Sequence, residues 1–181
     1  FSNTKKTVTY TGGKFSLEAN IDSSKPSLKS YTTDVSNANV VNMTSSNDLI
    51  IIDGNTDNYR GLSGDDTYFL SDLIPSNDKI AIIDTAGNNI IQIPDNTWIT
   101  KSIWTSDAVR LTLSNNKTVT INGADKFTFD IGGNVFAGDN GSLSTFSEFA
   151  AAFNIDVENL SGAESNNEGF YIGSEDTISY A

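Results

Sequence analysis

Short runs of β-branched and aromatic residues recur along the chain, separated by polar stretches rich in Asn, Ser and Thr. In the clearest pattern, Val109, Leu111 and Leu113 alternate with polar residues, and Val119 and Ile121 resume the alternation after a polar turn. A period of two predicts a β-hairpin with one apolar face. Because most of the chain is built from such short runs, the sequence predicts a mainly β protein.

Two further elements are predicted outside this hairpin. A Gly-Gly pair joins two short alternating runs at 7–19 and predicts a second hairpin. One helix is predicted at 145–154, since Thr145 and Glu148 have the spacing of a capping box. The apolar residues of this segment share one helical face: Phe146, Phe149, Ala150 and Phe153. We interpret this aromatic stripe as part of the core.

A nine-residue repeat occupies the segments 34–42, 43–51, 52–60 and 61–69. Its fourth position holds small or turn-forming residues: Asn37, Ser46, Asn55 and Gly64. Its sixth position holds Asp or Asn: Asn39, Asp48, Asp57 and Asp66. Its eighth position holds apolar or aromatic residues: Val41, Ile50, Tyr59 and Tyr68. After a longer turn that contains Pro, the segment 84–92 restores the spacing with Gly87, Asn89 and Ile91.

This repeat length has a mechanical interpretation. Six residues form a turn and three form a short strand, which together make half a coil of a parallel β-roll. The eighth residue would point inward, and the sixth would supply its side chain to the turn. Successive turns would lie on opposite edges, so each turn would stack on the turn two repeats later. The alternative is that these segments are polar turns of a β-sandwich, held by Asx-turn hydrogen bonds.

The segment 61–69, GLSGDDTYF, carries a family resemblance. It resembles the Gly-Gly-x-Gly-x-Asp-x-U-x nonapeptide of RTX (repeats-in-toxin) proteins, with Leu62 in place of the second Gly. The earlier repeats resemble the nonapeptide less, because Asn and Ser replace Gly. RTX repeats bind Ca²⁺, so the resemblance implies calcium sites in the turns.

The stacking of turns assigns the predicted ligands in pairs. Asp48 and Asp66 are predicted to share one Ca²⁺ on one edge, while Asn39 and Asp57 face each other more weakly on the other. The carbonyls of positions two and four are further predicted ligands: Leu62, Gly64 and Asn55. Three side chains complete the predicted set: Asn89, which would stack on Asp66, and Asp72 and Asp78, either of which would face Asp57. Together these oxygens would give Ca²⁺ its usual six to eight ligands.

Composition favours the same kind of ion. The chain has 23 acidic and 11 basic residues, a formal net charge of -12, and neither His nor Cys. These absences make zinc chemistry and a Ser-His-Asp hydrolase improbable, whereas oxygen-rich acidic sites suit Ca²⁺ and Mg²⁺. The negative field repels phosphate backbones, so no nucleic acid partner is expected. No apolar run approaches the roughly 20 residues needed to cross a bilayer, so no membrane insertion is expected.

The predicted organisation is a single domain, 1–181. An N-terminal β cap occupies 1–33, the β-roll occupies 34–92, and a C-terminal β module with the helix occupies 93–181. The acidic tail is either a last strand or an exposed terminus that a type I secretion system reads.

Three residues outside the repeat are candidates for ligand binding. Trp98 and Trp104 would stack on a sugar or anchor a peptide if exposed, and would pack the module if buried. Asp139 lies in the Gly-rich stretch 132–141, which either holds another ion or is a plain loop.

The layout from GLSGDDTYF to TFSEFAAAF resembles the ligand-binding or C-terminal modules of large bacterial RTX adhesins and S-layer-type proteins. This resemblance implies a calcium-stabilised extracellular domain, part of a larger secreted polypeptide, that binds a surface peptide or carbohydrate. The alternative is a purely structural calcium-binding module without a small ligand. An enzyme is not expected, and a carboxylate-pair polysaccharide-cleaving enzyme is the least favoured function.

Overall fold

The computed structural model of the protein describes residues 7–11, 14–18, 40–54 and 56–180. In this part of the chain the protein is mainly β with one short α-helix, which confirms the predicted class. The strands are β1 (Thr7–Thr11), β2 (Lys14–Glu18), β3 (Val41–Asn42), β4 (Leu49–Ile52), β5 (Asn58–Arg60), β6 (Thr67–Leu70), β7 (Lys79–Ile83), β8 (Asn89–Pro94), β9 (Trp98–Trp104), β10 (Ala108–Leu113), β11 (Thr118–Asn122), β12 (Phe127–Gly132), β13 (Ser142–Thr145), β14 (Glu164–Asn166), β15 (Phe170–Gly173) and β16 (Thr177–Tyr180). The helix α1 spans Phe146–Ala151, and short 3₁₀ turns occupy Ser114–Asn116, Ala124–Lys126 and Val157–Asn159.

From β3 to β8, successive strands alternate between two sheets. Strands β3, β5, β7 and β11 pair in parallel in the larger sheet. Strands β4, β6, β8 and β12 pair in parallel in the smaller sheet. The chain therefore crosses from one sheet to the other at every turn, and turns on the same edge lie one above another.

The pairing register follows the nine-residue repeat. Val41 pairs with Tyr59 and Ile50 with Tyr68, which is an offset of two repeats. The next pairing, of Tyr68 with Ile91, is longer because the Pro-containing turn adds residues. The side chains of Ile50, Tyr59, Tyr68 and Ile91 are all 0% exposed, as predicted for the eighth position. The eighth position of the repeat thus contributes a core side chain to β4, β5, β6 and β8.

Antiparallel strands extend the larger sheet beyond β11. Strands β10 and β11 form the hairpin predicted around Val109 and Ile121, and β9 continues it. The tail forms a hairpin of β15 and β16, and β15 pairs with β9. Near the N-terminus, β1 and β2 pair as the predicted hairpin.

The helix is shorter than predicted. It spans Phe146–Ala151, with Thr145 as N-cap and both hydrogen bonds of the predicted capping box. It ends early because Phe153 and Asn154 donate to carbonyls three residues back, and Asn154 takes a φ of 59°. Phe149 and Phe153 are fully buried, which places the aromatic stripe in the core.

The two tryptophans of β9 have opposite environments. Trp98 is 46% exposed, whereas Trp104 is fully buried, donates its Nε1–H to Ser102 Oγ at 2.7 Å and packs on Phe149. Strict alternation would put both on the same face, but the β9–β10 register shifts by one residue between Ile99 and Lys101. Such a bulge reverses the faces of all residues beyond it. Trp104 is therefore a core residue and has no free face for a ligand, contrary to its prediction as a ligand-binding residue.

Candidate metal centre

One edge of the molecule carries a column of polar side chains from three stacked turns. The Asp48 N–H donates to Asp66 Oδ1 at 2.7 Å, and the Asp66 N–H donates to Asn89 Oδ1 at 3.0 Å. All three residues are buried, with 2%, 0% and 0% exposure. The structure thus brings together the pair Asp48 and Asp66, and it stacks Asn89 on Asp66.

Each carboxylate of this column has one oxygen that is satisfied and one that is not. Asp48 Oδ2 accepts from the Thr44 N–H at 2.8 Å and from Thr44 Oγ1 at 2.7 Å. Asp48 Oδ1 and Asp66 Oδ2 are buried and have no hydrogen-bond partner. A buried acceptor without a partner costs about 1–3 kcal/mol, and more when it is charged. These two oxygens are therefore the candidate cation ligands of the column.

The turn backbones approach each other closely at the fourth position of the repeat. Gly64 has a φ of 120°, and a Cβ there would lie 2.6 Å from the carbonyl carbon of Ser46. Gly87 has a φ of 86°, and a Cβ there would overlap the carbonyl oxygen of Gly64. Only glycine combines this backbone conformation with so close a contact. The carbonyls of Ser46 and Gly64 therefore lie against the next turn of the stack.

Leu62 occupies the position that is glycine in the RTX nonapeptide. Its φ is 78°, in the left-handed region, and its side chain is 49% exposed. The backbone therefore has the conformation that glycine favours, although leucine occupies it.

A second carboxylate next to Asp66 was not predicted from the sequence. Asp84 is 2% exposed, and its Oδ2 accepts from the Tyr68 hydroxyl at 2.6 Å. Asp66 Oδ2, Asp84 Oδ2 and the Tyr68 hydroxyl all surround the space where Gly61 lacks a Cβ. Asp84 is the first residue of the restored repeat 84–92, and this was the signal available in the sequence.

This crowding has an electrostatic consequence. Burial, followed by the nearby carboxylates of Asp84 and Asp48, raises the pKa of Asp66 from 3.8 to about 7, although the Asp48 N–H opposes the shift. Burial and the Asp84 carboxylate also raise the pKa of the Tyr68 hydroxyl. At neutral pH a positive ion beside Asp66 would compete with a proton for the same oxygen.

A second ladder runs along the solvent side of the same turns. The Asp65 N–H donates to Asn47 Oδ1 at 2.9 Å, and the Asn88 N–H donates to Asp65 Oδ1 at 2.8 Å. These residues precede the column residues by one position, at the same spacing. This ladder was not predicted from the sequence, although Asn47, Asp65 and Asn88 all occupy the fifth position of their repeats and could have indicated it.

The opposite edge is less suited to a cation. Asp57 is exposed and lines a groove of about 690 Å³ together with Asp78, Lys79 and Arg110. Asp78, and not Asp72, therefore shares a surface with Asp57, and two basic side chains offset their charge. Predicted ligands Asn39 and Asn55 lie outside the described residues, so the pairing of Asn39 with Asp57 stays a prediction.

Asp72 and Asp139 belong neither to the column of Asp48, Asp66 and Asn89 nor to the ladder beside it. Asp72 is exposed, and its carbonyl accepts from Lys117 Nζ at 2.9 Å. Asp139 is exposed, and its backbone pairs with Asn134 within the loop between β12 and β13. Phe136 of this loop packs on Phe69 with ring centroids 5.0 Å apart, so the loop lies against the smaller sheet.

Among the described residues, no three Asp or Glu side chains come together as a metal-binding group. A metal at the Asp48–Asp66 column would therefore depend on amide and backbone carbonyl oxygens in addition to the two carboxylates.

Comparisons with known proteins give no relative for this chain. No family model matches it, and neither a curated protein nor a solved structure is significantly similar to it. Within the part of the chain that the structure describes, no helix has the length and apolar character required to cross a bilayer.

Proposed function

We propose that the chain is a calcium-stabilised extracellular domain of a secreted bacterial RTX-type adhesin. In this proposal the strands from β3 to β8, with β11 and β12, form a calcium-binding parallel β-roll. The strands beyond the roll form a module that binds a peptide or a carbohydrate on a target surface.

The pair of unsatisfied oxygens in the column carries this proposal. Asp48 Oδ1 and Asp66 Oδ2 are buried acceptors without donors, in turns that a nine-residue repeat stacks. Ca²⁺ is a hard cation that binds carboxylate, amide and carbonyl oxygens. Asp48 and Asp66 would hold it, with carbonyl oxygens of the stacked turns completing the ligands.

The strand arrangement supports a roll. Parallel pairs alternate between two sheets, and the offset between paired residues is two nonapeptides. Polar turns of a β-sandwich would connect antiparallel strands instead. The Asn47, Asp65 and Asn88 ladder adds hydrogen bonds between turns that do not need an ion.

Calcium would then control where the domain becomes fully ordered. Without the ion, Asp48, Asp66 and Asp84 place like charges close together in a buried region, which destabilises the stack. Cytosolic Ca²⁺ is too scarce to fill weak sites, whereas extracellular modules bind Ca²⁺ at about 10⁻⁴–10⁻³ M. An exported chain would therefore become ordered on reaching the outside of the cell.

A calcium titration of the wild-type chain and two variants tests the proposal. Isothermal calorimetry would measure binding, and circular dichroism would follow the melting temperature with and without Ca²⁺. We expect Asp66→Ala to lose most of the calcium-dependent rise in melting temperature. The matched control is Asp125→Ala, since Asp125 is an exposed carboxylate of the turn between β11 and β12 that pairs with Lys126 at 2.8 Å.

Two results would count against the proposal. Wild-type protein whose melting temperature does not respond to Ca²⁺ would remove the stabilising role. Equal responses of the Asp66 and Asp125 variants would show that any bound calcium lies elsewhere.

A further inference from the structure

A pocket of about 310 Å³ lies between three turns, outside the candidate metal centre. Its floor is apolar, since the buried side chains of Leu70 and Leu113 line it. Its walls are polar and include Asp95, Asn96 and Lys117. Its volume is at the lower end of the roughly 300–1,000 Å³ that small-molecule sites span. The pocket thus combines an apolar base with several hydrogen-bonding groups.

Asp95 lines this pocket with a half-buried carboxylate. Its Oδ1 is buried and has no hydrogen-bond partner. Burial, followed by the carboxylates of Asp176 and Asp139, raises the pKa of Asp95. Asp176 lies close by, because both its carboxylate and Asp95 Oδ1 face the missing Cβ of Gly132. Because Oδ1 is enclosed beside Gly132, a ligand hydroxyl in the pocket would donate to the other carboxylate oxygen, Oδ2.

Trp98 lines the same pocket and is held in place from one side. Its side chain is 46% exposed, and its ring centroid lies 4.6 Å from that of Tyr171, the residue opposite it on β15. The Tyr171 hydroxyl donates to Asn96 Oδ1 at 2.6 Å. This contact fixes the aromatic pair and the amide of Asn96 relative to each other. A preorganised ring loses little conformational entropy when a ligand stacks on it.

We infer that this pocket binds a pyranose ring of a surface glycan. The C–H groups of one sugar face carry a small positive charge and would stack on the negative face of the Trp98 ring. A ring hydroxyl would donate to the Asp95 carboxylate at Oδ2, and neighbouring hydroxyls would bond with Asn96 and Lys117. This inference rests on the proposed adhesive function and names its ligand as a carbohydrate.

The polar walls favour a sugar over a peptide anchor. An apolar peptide side chain could cover the floor, but it would offer no hydrogen bond to the carboxylate of Asp95 or to the amide of Asn96. A sugar ring presents an apolar face and several hydroxyl groups at once, and it matches both parts of the pocket.

Tryptophan fluorescence gives a direct test, because of the two tryptophans only Trp98 is exposed. The probes are the methyl pyranosides of glucose, galactose, mannose and N-acetylglucosamine, and n-butylammonium chloride as a cationic competitor. We expect at least one pyranoside to change the emission with a saturable dependence, and to protect Trp98 from acrylamide quenching.

Calorimetry with the same sugar would then compare five variants. Trp98→Ala and Asp95→Ala are expected to weaken binding about tenfold or more. The controls Leu143→Ala, which removes another exposed apolar side chain, and Asp125→Ala are expected to bind like wild type. Trp98→Phe keeps an aromatic face, so it should fold normally and retain part of the affinity.

The outcomes separate this inference from the proposed function. A chain that binds Ca²⁺ but none of the pyranosides, at concentrations up to about 100 mM, overturns the sugar site alone. Binding of n-butylammonium without any pyranoside also overturns it, because the pocket would then recognise a cation. Sugar binding that persists in both Trp98→Ala and Asp95→Ala places the site elsewhere. Sugar binding in a chain that ignores Ca²⁺ supports the pocket and contradicts the calcium proposal.

Discussion

Replacing Asp66 with Asn should change stability in opposite directions with and without calcium. In the metal-free protein, burial and the carboxylates of Asp84 and Asp48 raise the pKa of Asp66 from 3.8 to about 7. The folded state therefore binds more protons than the unfolded state between these values. The free energy of unfolding falls as pH rises through this window, and the loss is complete above the folded pKa.

The size of this effect follows from the shift. Each pKa unit corresponds to about 1.4 kcal/mol, so a shift of about three units costs on the order of 4 kcal/mol above pH 7. Asn keeps an oxygen that accepts from the Asp48 N–H, but a neutral acceptor is weaker by about 1 kcal/mol. We therefore expect metal-free Asp66→Asn to be more stable than wild type by roughly 2–3 kcal/mol at pH 8.

The assay is urea unfolding followed by circular dichroism, at pH 5 and pH 8, after exhaustive removal of calcium and again with excess calcium. At pH 5 Asp66 is protonated in the fold, so the two proteins should have similar stability. Saturating calcium at pH 8 should reverse the order, because only the wild type has the second carboxylate. The exposed Asp125→Asn variant should track wild type in every condition. Metal-free Asp66→Asn that is less stable than wild type at pH 8 would refute the electrostatic reasoning.

Three further substitutions test the turns and the core. Leu62→Gly should raise the free energy of unfolding by a few tenths to about 1 kcal/mol, because it relieves a φ of 78°. The control Leu73→Gly, at another exposed leucine, should lower it. A lower urea midpoint for Leu62→Gly than for wild type would contradict this prediction. Gly87→Ala should lower the free energy of unfolding by more than about 2 kcal/mol, since its Cβ would overlap the neighbouring turn. The control Gly138→Ala, whose Cβ would meet open space at a φ of 72°, should lower it by only about 1 kcal/mol. Equal losses of stability in the two variants would contradict the close stacking of the turns. Trp104→Ala should cost about 3–5 kcal/mol in thermal or urea unfolding, and a loss below about 1 kcal/mol would contradict its place in the core.

The nine-residue repeat made the core and the column of Asp48, Asp66 and Asn89 predictable. A nine-residue period fixes which side chain points inward, so Tyr59 and Tyr68 could be placed in the core from the sequence. The same period fixes which turns share an edge, and it brought Asp48 and Asp66 together. These relations depend on spacing alone, which a single sequence contains.

Features that depend on contacts between distant segments could not be predicted. The repeat spacing places Asp84 in a turn of this edge, but its hydrogen bond with the Tyr68 hydroxyl joins residues 16 positions apart and has no local signal. Trp98 and Trp104 have similar local sequences, and a one-residue bulge opposite β10 decides which of them is buried. The pocket beside Trp98 likewise combines Asp95 with Lys117, which the sequence separates by the whole β9–β10 hairpin.

A crystal structure grown with calcium, with anomalous scattering data, tests the central claim most directly. The account predicts one anomalous peak that lies about 2.3–2.6 Å from both Asp48 Oδ1 and Asp66 Oδ2, with turn carbonyls around it. Stacked turns with ordinary hydrogen bonds at both oxygens and no peak between them would contradict it.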